Sequence, residues 1–155
     1  MKSLQVWLNE YGESHQNKTN KTIHWICVPL IFFSICGFLY GIKLPIRLGS
    51  DYSLNLAIIA LTLVYFYYAF LSFRLSLGML LFALICLFKC YWLEQNIAYP
   101  LWQICLVIFV LAWIGQFYGH KIEGKKPSFL KDIQFLLIGP AWLMSFIFRK
   151  LRIRY

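Results

Sequence analysis

The sequence predicts an all-α polytopic membrane helical bundle, with four transmembrane helices and a short C-terminal re-entrant or interfacial segment. Three observations predict it. The 155 residues are 61% hydrophobic and only 14% charged, whereas a soluble domain carries about a quarter charged residues. The apolar residues fall in long runs, suited to a hydrocarbon core of about 30 Å. The basic residues behind the net charge of +9 flank those runs, as lipid-headgroup and topology-setting residues do. That placement points to membrane lipid as a partner and excludes nucleic acid. The whole chain, residues 1–155, reads as one integral membrane domain.

Each element follows from the chain in order. Residues 1–13 put Leu4, Trp7, Leu8 and Tyr11 on one face of a short helix, which lies on the membrane surface or packs on the bundle. Residues 12–21 form a polar connection. Its Asn-Lys-Thr triplets at Asn17 and Asn20 match the glycosylation acceptor pattern, but the cytoplasmic placement argued below speaks against that use. The first span is 25–42, with Pro29 near its start. Residues 1–24 are mostly polar, so no cleavable signal peptide is expected and the first apolar run serves as a signal anchor.

Residues 43–53 read as a loop with Pro45, Gly49 and Asp51. The second span is 54–73 and the third 75–93. A tight turn at 72–76, around Arg74, divides them, because one helix of about forty residues exceeds the core thickness. Lys89 lies near the far end of the third span, where it can snorkel outward. A short loop at 94–96 leads to the fourth span, 97–118, with Pro100 near its start. Residues 119–132 are polar again. The last apolar run, 133–148, is short and holds Gly139-Pro140 in its middle. It therefore reads as re-entrant or interfacial, with a fifth span as the alternative.

Charge bias sets the topology. With the N-terminus inside, Lys2, Lys18, Lys21, Arg74, Lys121, Lys125, Lys126 and Lys131 fall on the cytoplasmic side. Lys43, Arg47 and Lys89 fall outside. Both termini are then cytoplasmic, and so are the three histidines: His15 in the polar connection, His24 entering span one, His120 leaving span four. Three imidazoles at a membrane edge suit zinc, iron, copper or nickel with open coordination positions, hence a catalytic site. The bland alternative is interfacial histidines in polar loops. Glu123, one helical turn after His120, is either a fourth ligand or an acceptor for an imidazole N–H. Asn17, Asn20 and Gln116 are further candidates for orienting the ligands. The five cysteines are scattered through apolar runs and read as small buried hydrophobes.

Two motifs carry a resemblance. The first is Tyr11-x-x-x-His15-x-Asn17-x-x-Asn20-x-x-x-His24-x-x-x-x-Pro29. The second is Trp113-x-x-Gln116-x-x-Gly119-His120, followed by Glu123-Gly124 and Pro127. Together with Gly139-Pro140 they resemble the signatures of the membrane 2-hydroxy fatty acid dioxygenase family, which includes a fungal alpha-oxidation enzyme of the endoplasmic reticulum and bacterial relatives. The resemblance runs over nearly the whole chain. It implies an Fe(II)-dependent dioxygenase that uses O₂ to shorten a 2-hydroxy long-chain fatty acid by one carbon. Carried onto this chain, it implies His15, His24 and His120 as metal ligands and catalytic residues. Lys121, Lys125 and Lys126 are close in sequence to His120 and either neutralise the substrate carboxylate or form a solvated basic loop. An all-histidine set and a set completed by Glu123 both remain open. Competing readings are a haem protein, a zinc-dependent membrane hydrolase using the same histidines, and a non-enzymatic small membrane scaffold. Short loops favour the bacterial inner membrane over the endoplasmic reticulum, with the histidine site cytoplasmic.

Overall fold

A computed structural model describes residues 2–47, 53–126 and 134–155. The elements run α1 (Leu4–Gly12), α2 (Lys18–Tyr40), β1 (Lys43–Arg47), β2 (Ser53–Asn55), α3 (Leu56–Leu71), α4 (Phe73–Asn96), α5 (Leu101–Glu123) and α6 (Phe135–Lys150). Among the described residues, α2, α4 and α5 are long and apolar enough to cross a membrane.

Several boundaries differ from expectation, each for a local reason. Helix α2 starts at Lys18, well before residue 25. The Asn17 side chain caps it, accepting the backbone N–H of Thr19 at 2.8 Å and of Asn20 at 3.4 Å. The polar first turn masks the helix in a hydropathy pattern. The described part of the expected loop 43–53 forms an antiparallel ladder, with Lys43 opposite Asn55. Gly49 and Asp51 lie outside the described residues. Because Ser53–Asn55 joins that ladder, α3 has 16 residues and measures about 24 Å, shorter than the twenty-residue span 54–73 predicted from hydropathy.

The turn expected at 72–76 is tighter than that. Ser72 alone leaves the helical conformation, and its hydroxyl accepts the Leu75 N–H at 3.2 Å, starting α4. Helix α4 continues through the expected loop 94–96, so the connection falls at 97–100 and Pro100 precedes α5. Helix α5 runs on to Glu123, which places His120 in its last turn. Gly124, with φ 71°, closes it in the left-handed conformation. Helix α6 is unbroken across Gly139-Pro140. Proline removes one helical hydrogen bond, but burial of Phe135, Ile138, Ala141, Trp142 and Leu143 along this helix holds it together. Pro127 and Lys131 lie outside the described residues.

The most extensive helix pairing is α2 with α5. Gly115 and Gly119 lie one turn apart and face α2: a Cβ on Gly115 would sit 2.6 Å from Cys27 Sγ, and one on Gly119 would collide with the Asn20 side chain. Small residues at this spacing let two apolar helices approach closely. Helix α1 buries Leu4, Trp7, Leu8 and Tyr11 in a cluster with Phe135, Ile138 and Trp142. Its apolar face therefore packs on the bundle and does not lie on the membrane surface. Helix α3 leaves the ladder where the Leu56 N–H reaches Ile42 O at 3.0 Å. At its other end Tyr68 Oη donates to Leu137 O at 2.6 Å, so α3 traverses the bundle antiparallel to α2. Leu63, Phe66, Phe70, Leu81, Phe88 and Leu111 point outward, an apolar exterior of the kind lipid covers.

Candidate metal centre

His15 follows α1, His24 lies in the second turn of α2, and His120 lies in the last turn of α5. The fold brings all three together. Their ring centroids are 4.2 Å (His15–His24), 5.0 Å (His15–His120) and 4.9 Å (His24–His120) apart. One ring nitrogen from each lies within 4.8 Å of the others, and all three residues are buried.

Two of the rings are held in the same way. His15 Nδ1 lies 2.6 Å from Tyr11 O, and His24 Nδ1 lies 2.9 Å from Asn20 O. In each case the carbonyl is four residues earlier. A carbonyl only accepts, so Nδ1 carries the proton and Nε2 keeps its lone pair. The Tyr11 ring also stacks on His15, with centroids 4.2 Å apart and planes 9° from parallel. Trp142 leans on it at 5.3 Å.

The remaining nitrogens, His15 Nε2, His24 Nε2 and His120 Nδ1, are buried with no hydrogen-bond partner among the described residues. A buried polar atom left unsatisfied costs about 1–3 kcal/mol, so three of them on neighbouring rings call for an occupant. Burial pushes His15 down to about 4, against the upward pull of the Tyr11 carbonyl and with a further push from His120. The ring is therefore neutral near pH 7, as a metal ligand must be. Three neutral imidazole donors fit a divalent transition metal that keeps open positions.

Glu123 is engaged elsewhere. Its carboxylate accepts the Gln16 N–H at 2.8 Å, the Asn17 N–H at 2.8 Å and Asn20 Nδ2 at 3.1 Å, and it does not group with the histidines. It clamps the α1–α2 connection to the end of α5. It also positions Asn20, whose carbonyl holds His24. Asn20 is fully buried and donates as well to Ser14 O at 3.2 Å. Asn17 is the α2 cap. Gln116 is buried one turn before His120. Lys121, Lys125 and Lys126 are exposed, and Lys125 Nζ donates to Glu13 O at 2.6 Å.

The structure adds residues that sequence reasoning did not place at the site. Tyr11 supports His15 with both ring and carbonyl; its position four residues before His15 was a usable signal. Nothing local in the sequence points to Trp142. Two cavities border the histidines. One, of about 370 Å³, is apolar and reaches from Tyr11, Gln116 and His120 down to Leu39 and Leu61. The other, of about 350 Å³, is more polar and includes His15, Glu13, Lys21, Ser145 and Arg149 in its wall.

The family described as 2-hydroxy-palmitic acid dioxygenase Mpo1-like matches residues 1–151. The 2-hydroxy-palmitic acid dioxygenase MPO1 of Saccharomyces cerevisiae is 29% identical over 149 residues, covering 94% of this chain and 80% of the relative. No solved structure matches. With the family match running from α1 through α6 and taking in all three histidines, the chain belongs to the Mpo1-like family of 2-hydroxy-palmitic acid dioxygenases.

Proposed function

We propose that this protein is an Fe(II)-dependent dioxygenase that shortens 2-hydroxy long-chain fatty acids by one carbon at the cytoplasmic edge of a membrane. The observation that carries the proposal is a cluster of three buried imidazoles, each with a ring nitrogen that has no partner among the described residues, beside an apolar cavity. The reaction balances without an external reductant: RCH(OH)COOH + O₂ gives RCOOH, CO₂ and H₂O. The C1–C2 bond breaks, and the substrate supplies all four electrons that O₂ takes up.

His15, His24 and His120 would hold the metal, and iron would supply the open positions where the oxygen chemistry occurs. The Tyr11 and Asn20 carbonyls fix the protons of two ligands on Nδ1 and so aim their lone pairs. Glu123 acts through Asn20, as a positioning residue. The apolar cavity takes the acyl chain and excludes water. Lys121, Lys125 and Lys126 form an exposed basic surface that draws the anionic head towards this edge.

The whole chain acts as one integral membrane unit. In this reading α3 makes a fourth crossing, since it runs between the ladder end and the α6 end of the bundle. The charge bias favours cytoplasmic placement of the histidines, and the short connections favour a bacterial inner membrane.

The test is anaerobic reconstitution with Fe(II), followed by O₂ uptake and product analysis with a 2-hydroxy long-chain acid. We expect one O₂ consumed per acid shortened by one carbon, and none with zinc in place of iron. A folded, iron-loaded protein that consumes no O₂ would overturn the proposal.

A further inference from the structure

The apolar cavity runs along one stripe of α2: Val28, Ile31, Phe32, Ile35, Cys36 and Leu39 all line it. These positions recur at three- and four-residue steps, so they share one helix face. Across from them stand Val64 and Leu61 of α3. Val64 belongs to the cluster around Tyr11 and Val28, whereas Leu61 packs with Cys36 and Tyr40. The near and far ends of the cavity are thereby fixed: Tyr11 and His120 at one, Leu39 and Leu61 at the other.

From Val28 to Leu39 the helix advances about 16 Å at 1.5 Å per residue. An extended chain of single bonds advances about 1.2 Å per bond, since a residue of three bonds spans about 3.3–3.6 Å. The stripe therefore matches about fourteen bonds. A volume of about 370 Å³ is at the lower end of the range of about 300–1,000 Å³ for ligand pockets, which suits a single narrow chain. Because the cavity begins at His120, its occupant is the chain whose head lies at the histidines. A bulk lipid lying elsewhere on the surface does not meet that condition.

We propose that this cavity measures the acyl chain, with Leu39 and Leu61 setting the length limit at about fourteen bonds beyond the head. Ile35, one turn above Leu39, sits about 6 Å closer to the histidines, a distance of about five bonds. The identity of the head group rests on the dioxygenase reading; the length limit rests on the cavity alone.

The experiment separates the two. The full-length, Fe(II)-loaded protein in detergent is titrated with unreactive straight-chain saturated fatty acids, which lack the 2-hydroxyl, of roughly eight to twenty carbons. O₂ uptake with the matching 2-hydroxy acids is measured alongside. Affinity is expected to rise with length and level off near about sixteen carbons. Ile35→Trp is expected to move that plateau down by about five carbons, and Leu39→Ala to move it up. Metal content shows that each variant is folded, and Leu39→Ala carries the test if the larger side chain does not fold. A plateau that stays in place in folded variants, or affinity indifferent to length, overturns the ruler. If the plateau moves while O₂ uptake is absent, the ruler stands and the dioxygenase reading fails. Uptake that is present while the plateau stays fixed has the opposite meaning.

Discussion

The Glu123 carboxylate accepts the backbone N–H of Asn17 at 2.8 Å, across 106 residues of chain. The same carboxylate takes the Gln16 N–H and the Asn20 side chain. One anion thus gathers the connection that carries His15 and the turn that aims His24. We predict that Glu123→Gln, which offers one acceptor oxygen where the carboxylate offers two, weakens metal affinity about 10- to 100-fold while leaving the ligands unchanged. Metal titration measures the first effect and X-ray absorption the second. Loss of an oxygen donor from the metal in this variant would make Glu123 a ligand and refute its positioning role.

Metal should stabilise the fold through the three histidines. At a free metal concentration about a hundred times Kd the gain is about 2.7 kcal/mol. For a chain of this size that corresponds to a rise of about 5–10 °C in Tm. Chelation should reverse it. His15→Ala, His24→Ala and His120→Ala should each abolish the response to both metal and chelator. A variant that keeps the full response does not lack a ligand, and the site would have to be redrawn.

Acid should destabilise the metal-free protein. His15 lies near 4 in the folded chain because burial disfavours its charged form, against about 6.5 unfolded. Between those values the unfolded chain binds the extra proton, so stability rises with pH across this window. The contribution is complete above about pH 6.5 and is lost as pH falls towards 4. Thermal unfolding of the metal-free protein from pH 7.5 to 4.5 should show the decline, and it should shrink in His15→Ala. A flat profile in the wild type would contradict it.

Gly119 has no room for a side chain. Its Cβ would meet the side-chain amide of Asn20, a fully buried residue whose backbone carbonyl holds His24 and whose amide donates to Glu123. Gly119→Ala should cost about 1–3 kcal/mol by overpacking and should lower metal occupancy as well. Asn17→Ala is the useful contrast. It removes the α2 cap, worth about 0.5–2 kcal/mol, but keeps the backbone N–H that Glu123 accepts, so occupancy at saturating metal should be retained. Equal metal loss in both variants would contradict this division of roles.

Much of this was legible in the sequence because it is local or topological. Leu4, Trp7, Leu8 and Tyr11 declare an amphipathic turn by spacing alone. His15, His24 and His120 share a side as soon as the spans are counted. What was hidden depends on contacts between distant segments. No periodicity links Glu123 to Asn17, and its proximity in sequence to His120 suggested a metal ligand or an imidazole acceptor rather than a clamp on the α1–α2 connection. The polar first turn of α2 looks like a loop until Asn17 is recognised as a cap. Gly139-Pro140 reads as a break unless the burial of its neighbours is known. Strand β2 takes from α3 residues that hydropathy assigned to a span.

That last exchange bears on how a substrate arrives. A crossing of 16 residues covers about 24 Å, some 6 Å less than a typical hydrocarbon core. If α3 crosses as proposed, the bilayer beside it must be locally pinched. Helix α3 is also one wall of the apolar cavity, through Leu61 and Val64. In the proposed reading, a fatty acid drifting in the leaflet on the histidine side would meet its lowest step where the headgroup plane dips towards that wall. Loading would then respond to membrane thickness, with thicker bilayers slowing delivery even though no residue of the protein has changed.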